Sequence, residues 1–327
     1  MKAVVCKAYG PPETLVVEER ESQELSTGEV RLAVHACGVN FPDTLIIENK
    51  YQFKPPLPFV PGGEVAGEIV EIAAGVTGHA IGDRVIAMVG WGGYADELVV
   101  EATRLLPVPE GMDYATAAGF TMTYGTSLYA LDQRANLKAG ETLLVLGAAG
   151  GVGLAAVELG KLMGARVIAA AGSADKLELC RSYGADALID YREEDLKARA
   201  KELTAGAGAD VIYDAVGGDA FDQAIRCVNW KGRLLVVGFA SGRIPELPVN
   251  LVLLKGCQVV GVFWGAFAAR EPEANARNLE RLGDWFEQGK LRPHVCATLP
   301  LERAGEALRM VIDRKAKGKI ILVTGRD

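Results

Sequence analysis

Three short stretches carry side chains that could do chemistry. The first, PFVPGGEVAG at residues 58–67, sets one carboxylate, Glu64, among three glycines and two prolines. A carboxylate so placed can be a metal ligand, a catalytic acid or the polar anchor of a turn. His35 and Cys37 lie two apart on a strand-like segment, so they share a face and could be drawn with Glu64 as a metal site. The same spacing suits a strand packing one residue pair into a core, which is the preferred reading. The second stretch, LLVLGAAGGVGLAAVELG, runs from an apolar strand through a glycine-rich turn into a helix. Gly147, Gly150, Gly151 and Gly153, with Val152 among them, allow close backbone approach to a phosphate. The helix that follows offers unpaired N–H groups and the positive end of its dipole.

The third stretch addresses which nucleotide would bind. An NAD site usually ends its second strand in Asp or Glu, which accepts from the ribose hydroxyls. Here that strand ends Ala170-Ala171-Gly172, followed by Ser173 and Lys176. A carboxylate would repel the 2′-phosphate of NADP by up to about 4 kcal/mol per close charge pair. Its absence, with Ser173 and Lys176 in reach, points to NADPH. Asp175 falls in the first turn of the next helix, where an acid is stabilising.

These residues need a frame, and the pattern of the chain supplies one. Up to about residue 115, short alternating strands such as EVRLAVHA, EVAGEIVEI and DRVIAMV are separated by turn signals, as in a mostly-β domain. From Glu141 the pattern changes to alternating strand and helix: TLLVLG, RVIAAAG, ALIDY, DVIYDAVG, RLLVVGF and CQVVGVF, with amphipathic segments between them. Continuous apolar strands joined by helices imply a parallel sheet covered on both faces. A glycine turn that opens such an alternation is far more specific than one standing alone. A helix from Glu271 to Gln288, another from Leu301 to about Lys315, and a last strand KIILV form a tail too short to be a domain. It is expected to return and complete the first. The predicted division is residues 1–120, 121–264 and 265–327.

Composition narrows the function classes. The 327 residues are 50% hydrophobic and 24% charged, with a net charge of −7 and no run of Lys and Arg. That balance argues against nucleic acid or an anionic membrane as partner. The longest apolar stretch, Leu143 to Val157, carries four glycines and falls short of the roughly 20 residues that span a bilayer. MKAVVCKAYG lacks the features of a signal peptide. Six cysteines, none at zinc-finger spacing, read as reduced thiols of a cytoplasmic protein.

Taken together, GEV…GVNFPD, PGGEVAGEIVEIAAGV…IGDRV and LGAAGGVG resemble the medium-chain dehydrogenase/reductase superfamily over nearly the whole chain. NFPDTLIIENKY, AAGGVG, IDYREEDL and DAVGGD resemble its zinc-free NADPH:quinone oxidoreductase (zeta-crystallin-like) branch. The resemblance implies an α/β protein: a Rossmann doubly wound parallel sheet plus a GroES-like, mostly-β catalytic domain. Alcohol dehydrogenases of the superfamily hold catalytic zinc through a Cys aligned with NFPD and a His preceding the Glu of GHE. Here those positions are Asn40 and Gly63, neither of which replaces a thiolate or an imidazole. The structural zinc lobe is absent as well. Glu64 then reads as a relic or pivot held by hydrogen bonds near the cleft, beside a former metal position that is now glycine. The cleft beside the nicotinamide is expected to be bare of any cation.

Zinc polarises a carbonyl and stabilises alkoxide. Without it the expected acceptors spread incoming charge themselves, so the implied activity is NADPH-dependent reduction of a quinone or an α,β-unsaturated carbonyl compound. Reduction of 2-enoyl thioesters and non-catalytic NADPH binding are the alternatives. The resemblance further implies Asn40 near the nicotinamide ribose or substrate, with Asp43 supporting its loop, and Tyr51 at the substrate as a donor. Leu45 stands where the branch often has a second tyrosine. Thr126 is implied near the pyrophosphate or nicotinamide, Tyr191 at the adenosine phosphate, and Arg314 as a C-terminal arginine reaching the cofactor. Gly238 and Ser241 follow a strand whose carboxyl end meets the ligand crevice. The apolar strand CQVVGVF, preceded by the loop VNLVLLKG, is expected to pair across a two-fold axis in a homodimer.

Overall fold

The computed structural model describes residues 1–326, which divide into two compact units. Residues 1–121 together with the chain from Pro293 onward form the first, and Met122–Arg292 the second.

The first unit is built on a seven-stranded sheet whose inward faces are apolar by alternation. Its order is Val295–Pro300, Lys319–Val323, Glu29–Val39, Glu64–Ile72, Arg84–Met88 and Leu105–Pro107, with Glu97–Glu101 also paired to Glu29–Val39. All pairs are antiparallel except the first, so most of the sheet comes from adjacent strands and the C-terminal return. Leu32, Val34, Val65, Ile69, Tyr94, Leu308 and Leu322 are buried in one core under it. The return is stitched by register: Ile320 lies opposite Val39, which brings Lys319 to the chain at Asn40. The C-terminal return into the first unit is thus observed, and it begins at Pro293 rather than at residue 265.

The difference has a packing cause. The helices Trp264–Arg270 and Pro272–Glu287 fold back onto the helical segment around Tyr129. Phe267 stacks on Tyr129 with ring centroids 4.1 Å apart, and Asn278 exchanges hydrogen bonds with Gln133. Arg281 donates to Asp132. The predicted helix from Leu301 to about Lys315 is a 3-10 turn, Leu301–Arg303, followed by an α-helix over Ala304–Ile312. The segment VNLVLLKG, expected as a loop, is a short helix over Val249–Lys255.

The second unit is the six-stranded parallel sheet that the alternation predicted. Taking Thr142–Leu146 as its first strand, the spatial order is 3-2-1-4-5-6, with the last strand, Gln258–Gly261, at one edge. That order is the doubly wound arrangement, and its direction reverses beside the first strand. Leu143, Leu144, Val145 and Leu146 are all completely buried, as a strand covered on both faces requires. Among the described residues no helix is long and apolar enough to cross a membrane.

Candidate active site

Each unit carries one polar assembly of the kind the sequence suggests. In the first, five buried polar side chains meet: Asn40, Asp43, Glu64, Tyr94 and Lys319. Asn40 precedes the helix Phe41–Ile46, and its backbone N–H donates to Asp43 Oδ2 at 2.8 Å, which fixes the start of the helix. The Tyr94 hydroxyl donates to the same oxygen at 3.1 Å. Glu64 opens the strand Glu64–Ile72 and is fully buried. Its Oε2 accepts from Asn40 Nδ2 at 3.1 Å and from Lys319 Nζ at 3.4 Å. Lys319, only 6% exposed, also donates to Asn40 Oδ1 at 2.7 Å and to the Val39 carbonyl at 3.2 Å.

The sequence names no charged partner for Glu64, and the structure supplies one. Lys319 reaches it from a strand 255 residues further on, which no local pattern in the sequence reveals. The only trace is a lysine heading an otherwise apolar strand, KIILV. Space for the pair is made by missing side chains. A Cβ on Gly38 would lie 2.0 Å from the Ala118 carbonyl oxygen and 2.9 Å from Glu64 Oε2. One on Gly119 would press on the Lys319 stem at 3.2 Å.

Burial raises the Asp43 carboxyl to about 6, against the opposing pull of the Asn40 N–H, the Lys319 charge and the Tyr94 hydroxyl. The folded carboxyl thus holds its proton more tightly than the unfolded one, whose value is near 3.9. Its stabilising contribution is complete below about pH 4 and is lost as pH rises through about 6. Two pKa units correspond to about 3 kcal/mol. In urea unfolding of the full chain, Asp43→Asn is expected to gain stability relative to the parent as pH rises across that window. A parallel pH dependence for both proteins would refute this.

The residues do not suit a zinc ion. Position 63 is glycine, and the Asn40 amide is already committed to Glu64, Lys319 and the Gly38 carbonyl. Burial drives the Cys37 thiol well above its ordinary value, the opposite of what a thiolate ligand needs. His35, on the same strand, stacks on Tyr114 with centroids 4.1 Å apart. Among the described residues no three His, Cys, Asp or Glu side chains cluster to hold a metal. Tyr51 is half-buried beside Phe53, with ring centroids 5.7 Å apart, and its hydroxyl has no hydrogen-bond partner among the described residues. Arg314 is exposed, in the turn after the helix Ala304–Ile312, at a φ of 56°.

In the second unit the glycine turn has the form expected of a phosphate cradle. Gly150 precedes the helix Gly151–Leu162 and puts no side-chain cap on its first N–H groups, so Gly151, Val152 and Gly153 can present them to an anion. Gly153 packs so closely that an added Cβ would sit 2.2 Å from the Gly147 carbonyl oxygen. Beside the turn runs the helix Thr121–Leu128, which carries Thr126. Its Ser127 hydroxyl donates to the Val152 carbonyl at 2.8 Å and shares a 3.0 Å hydrogen bond with Tyr213. These groups fit the pyrophosphate of a dinucleotide.

At the end of the second strand, Arg166–Ala171, a Cβ on Gly172 would meet Tyr191 Cε2 at 3.2 Å and Arg192 Nε at 3.1 Å. Tyr191 and Arg192 thus both flank Gly172 at the end of that strand. Ser173 spends its hydroxyl on Asp175, while Lys176 is half-buried in the first turn of the helix Ala174–Ser182. Gly238 follows the strand Val228–Val236, and its N–H donates to the Asp214 carbonyl. The Ser241 hydroxyl donates to the Arg243 carbonyl, closing the turn beside Gly218.

Comparison with known proteins agrees with this layout. The pattern of the alcohol dehydrogenase GroES-like domain matches residues 26–110, and that of the zinc-binding dehydrogenase family matches residues 151–280. The chain is 44% identical to the quinone oxidoreductase-like protein 2 homolog of Nematostella vectensis, over 99% of this chain and 89% of that one. It is 33% identical to the quinone oxidoreductase of Pseudomonas aeruginosa, over 98% and 99% of the two chains. Among solved structures, the Escherichia coli quinone oxidoreductase complexed with NADPH superposes with a TM-score of 0.91 at 28% identity, covering 99% and 100%. An NAD-dependent alcohol dehydrogenase matches with the same TM-score at 30% identity, so the fold alone does not select the nucleotide.

Proposed function

We propose that this chain, which belongs to the medium-chain dehydrogenase/reductase superfamily and to its quinone oxidoreductase-like members, reduces quinones or α,β-unsaturated carbonyl compounds with NADPH and without zinc. The observation that carries the reading is the ion pair at Glu64. Where a metal-dependent relative would need ligands, this chain has glycine, a committed amide and a lysine whose three N–H bonds are all used internally. That lysine is not free to polarise a substrate carbonyl. An unactivated ketone therefore lacks its main electrostatic aid, whereas a quinone or enone delocalises the arriving charge itself.

NADPH supplies the hydride, and a proton from solvent or a side chain completes the two-electron reduction. Gly147, Gly150, Gly151, Val152 and Gly153 would hold the pyrophosphate, with Thr126 beside them. Lys176, Ser173 and Tyr191 would face the 2′-phosphate, and Gly238, Ser241 and Arg314 would contact other parts of the nucleotide. Tyr51 offers an uncommitted hydroxyl as donor to the acceptor oxygen. The names of the relatives support the reaction class, and the NADPH bound in the Escherichia coli enzyme supports the cofactor.

The test is NADPH oxidation, followed in the near ultraviolet, against quinones, enones, enoyl-coenzyme A and simple ketones. Turnover with the first two supports the proposal. Turnover with enoyl-coenzyme A alone would make it a thioester reductase, and tight NADPH binding with no turnover a binding protein. Lys176→Ala is expected to weaken NADPH about tenfold, the lower end for a lost charge-assisted bond, and leave NADH unchanged. Equal losses for both nucleotides would remove Lys176 from the phosphate site.

A homodimer is proposed as well. The edge strand Gln258–Gly261 leaves one side of the sheet unpaired, and Ile244, Val249, Leu253 and Leu254 nearby in the chain are each at least 70% exposed. Sedimentation at micromolar concentration should give twice the chain mass, and Leu253→Glu should lower it.

A further inference from the structure

We infer that Lys319 is a positioning residue: through the Glu64–Lys319 pair it fixes which way the Asn40 amide points, making Asn40 a hydrogen-bond acceptor toward bound ligand. The inference rests on the reductase reading only for its kinetic arm.

An asparagine amide has two nearly equal ends, and its partners decide which is which. Here the choice is enforced by charge on both sides. Oδ1 lies 2.7 Å from the Lys319 ammonium, and Nδ2 lies 3.1 Å from the Glu64 carboxylate and 3.3 Å from the Gly38 carbonyl. Turning the amide over would set N–H against ammonium and carbonyl oxygen against carboxylate, two repulsions in place of two charge-assisted bonds. In the observed orientation both Nδ2 hydrogens are consumed. What Asn40 retains is the second lone pair of Oδ1, which can only accept. A ligand recognised here must bring a hydroxyl or amide hydrogen, found on the ribose and carboxamide of a nicotinamide nucleotide and on a hydroquinone.

The pair is a costly way to hold a fold. Well-packed apolar residues of similar volume usually serve a buried site as well as an ion pair or better. They cannot, however, orient an amide.

Lys319→Met alone leaves Glu64 buried without its partner and can fail to fold, so the test uses the neutral double variant Glu64→Leu/Lys319→Met in the full chain. Its melting temperature is expected to equal or exceed that of the parent. Its kcat/KM with a quinone is expected to fall about a hundredfold, the scale of a mispositioned polar group. Because Lys319 acts through Asn40, adding Asn40→Leu to the double variant should lower kcat/KM no further than Asn40→Leu alone. NADPH titration by fluorescence without acceptor separates the sources. A weaker Kd assigns the donated hydrogen to the nucleotide, and an unchanged Kd with a loss in kcat or acceptor KM assigns it to the acceptor. The inference is overturned if the folded double variant keeps both Kd and kcat/KM within threefold of the parent, or if the losses multiply in the triple variant. If the parent reduces no acceptor, the reductase reading fails, and the NADPH titration alone decides for or against Lys319.

Discussion

Glu64→Ala is expected to destabilise the first unit by about 3–5 kcal/mol, the cost of stranding one partner of a buried ion pair. The substitution removes the carboxylate from a site with no access to water and leaves the Lys319 ammonium, 6% exposed, with two neutral acceptors. It also takes away one acceptor of the Asn40 amide and opens a cavity at the head of the strand Glu64–Ile72. Urea unfolding of the full chain, with hydrogen exchange reporting protection in the strand Glu29–Val39, measures the loss. Glu306→Ala is the control, because its pair with Arg303 is about half-exposed on both sides and should be worth less than about 1 kcal/mol. Comparable losses for the two variants would mean that the Glu64 pair contributes no more than a surface contact. The neutral double variant Glu64→Leu/Lys319→Met strands no charge and should fold well.

Gly153→Val is expected to weaken NADPH by roughly 5–150-fold while the first unit stays folded. The nearest atoms to a side chain at this position are backbone: the Gly147 carbonyl oxygen at 2.2 Å, and the Gly147 carbonyl carbon and Ala148 Cα at 2.9 Å. None can swing aside, so the helix Gly151–Leu162 must move away from the turn and carry its first N–H groups with it. Overpacking of this kind costs about 1–3 kcal/mol, which converts to that range if it appears wholly in binding. Gly150→Ala makes the contrast, since its added Cβ would stand 3.4 Å from the Gly147 oxygen at an ordinary extended φ of −79°. Fluorescence titration of both variants checks the order. Equal binding by Gly153→Val and the parent would show that the helix terminus does not hold the pyrophosphate.

Features written in local pattern came through from the sequence. Runs such as Leu143–Leu146 could belong only to strands covered on both faces, and the structure buries all four completely. The strand–glycine–helix signature places its N–H groups as the turn chemistry demands, and Tyr191 flanks Gly172 at the end of the second strand. Where the chain crosses between units was less legible. The helices Trp264–Arg270 and Pro272–Glu287 are amphipathic in either setting, and only the stacking of Phe267 on Tyr129 and the bonds from Asn278 and Arg281 keep them with the second unit. Arg192 carries no local signal of its place beside Gly172, since a charged residue in a helix-leading segment usually just faces water.

What the sequence settled by itself was the kind of protein: two folding patterns joined in one chain, a glycine-rich turn between strand and helix, and asparagine and glycine at positions 40 and 63. Those are properties of residue type and near-neighbour spacing, which govern strand alternation, helix caps and turn geometry over a few residues. The partner of Glu64 was of another kind. Lys319 meets it only because the closing strand pairs with Val39 in one register of several that its apolar residues would allow. Such a choice is made by the packing of the whole sheet, and it is there that a lone carboxylate among glycines acquired its charge partner.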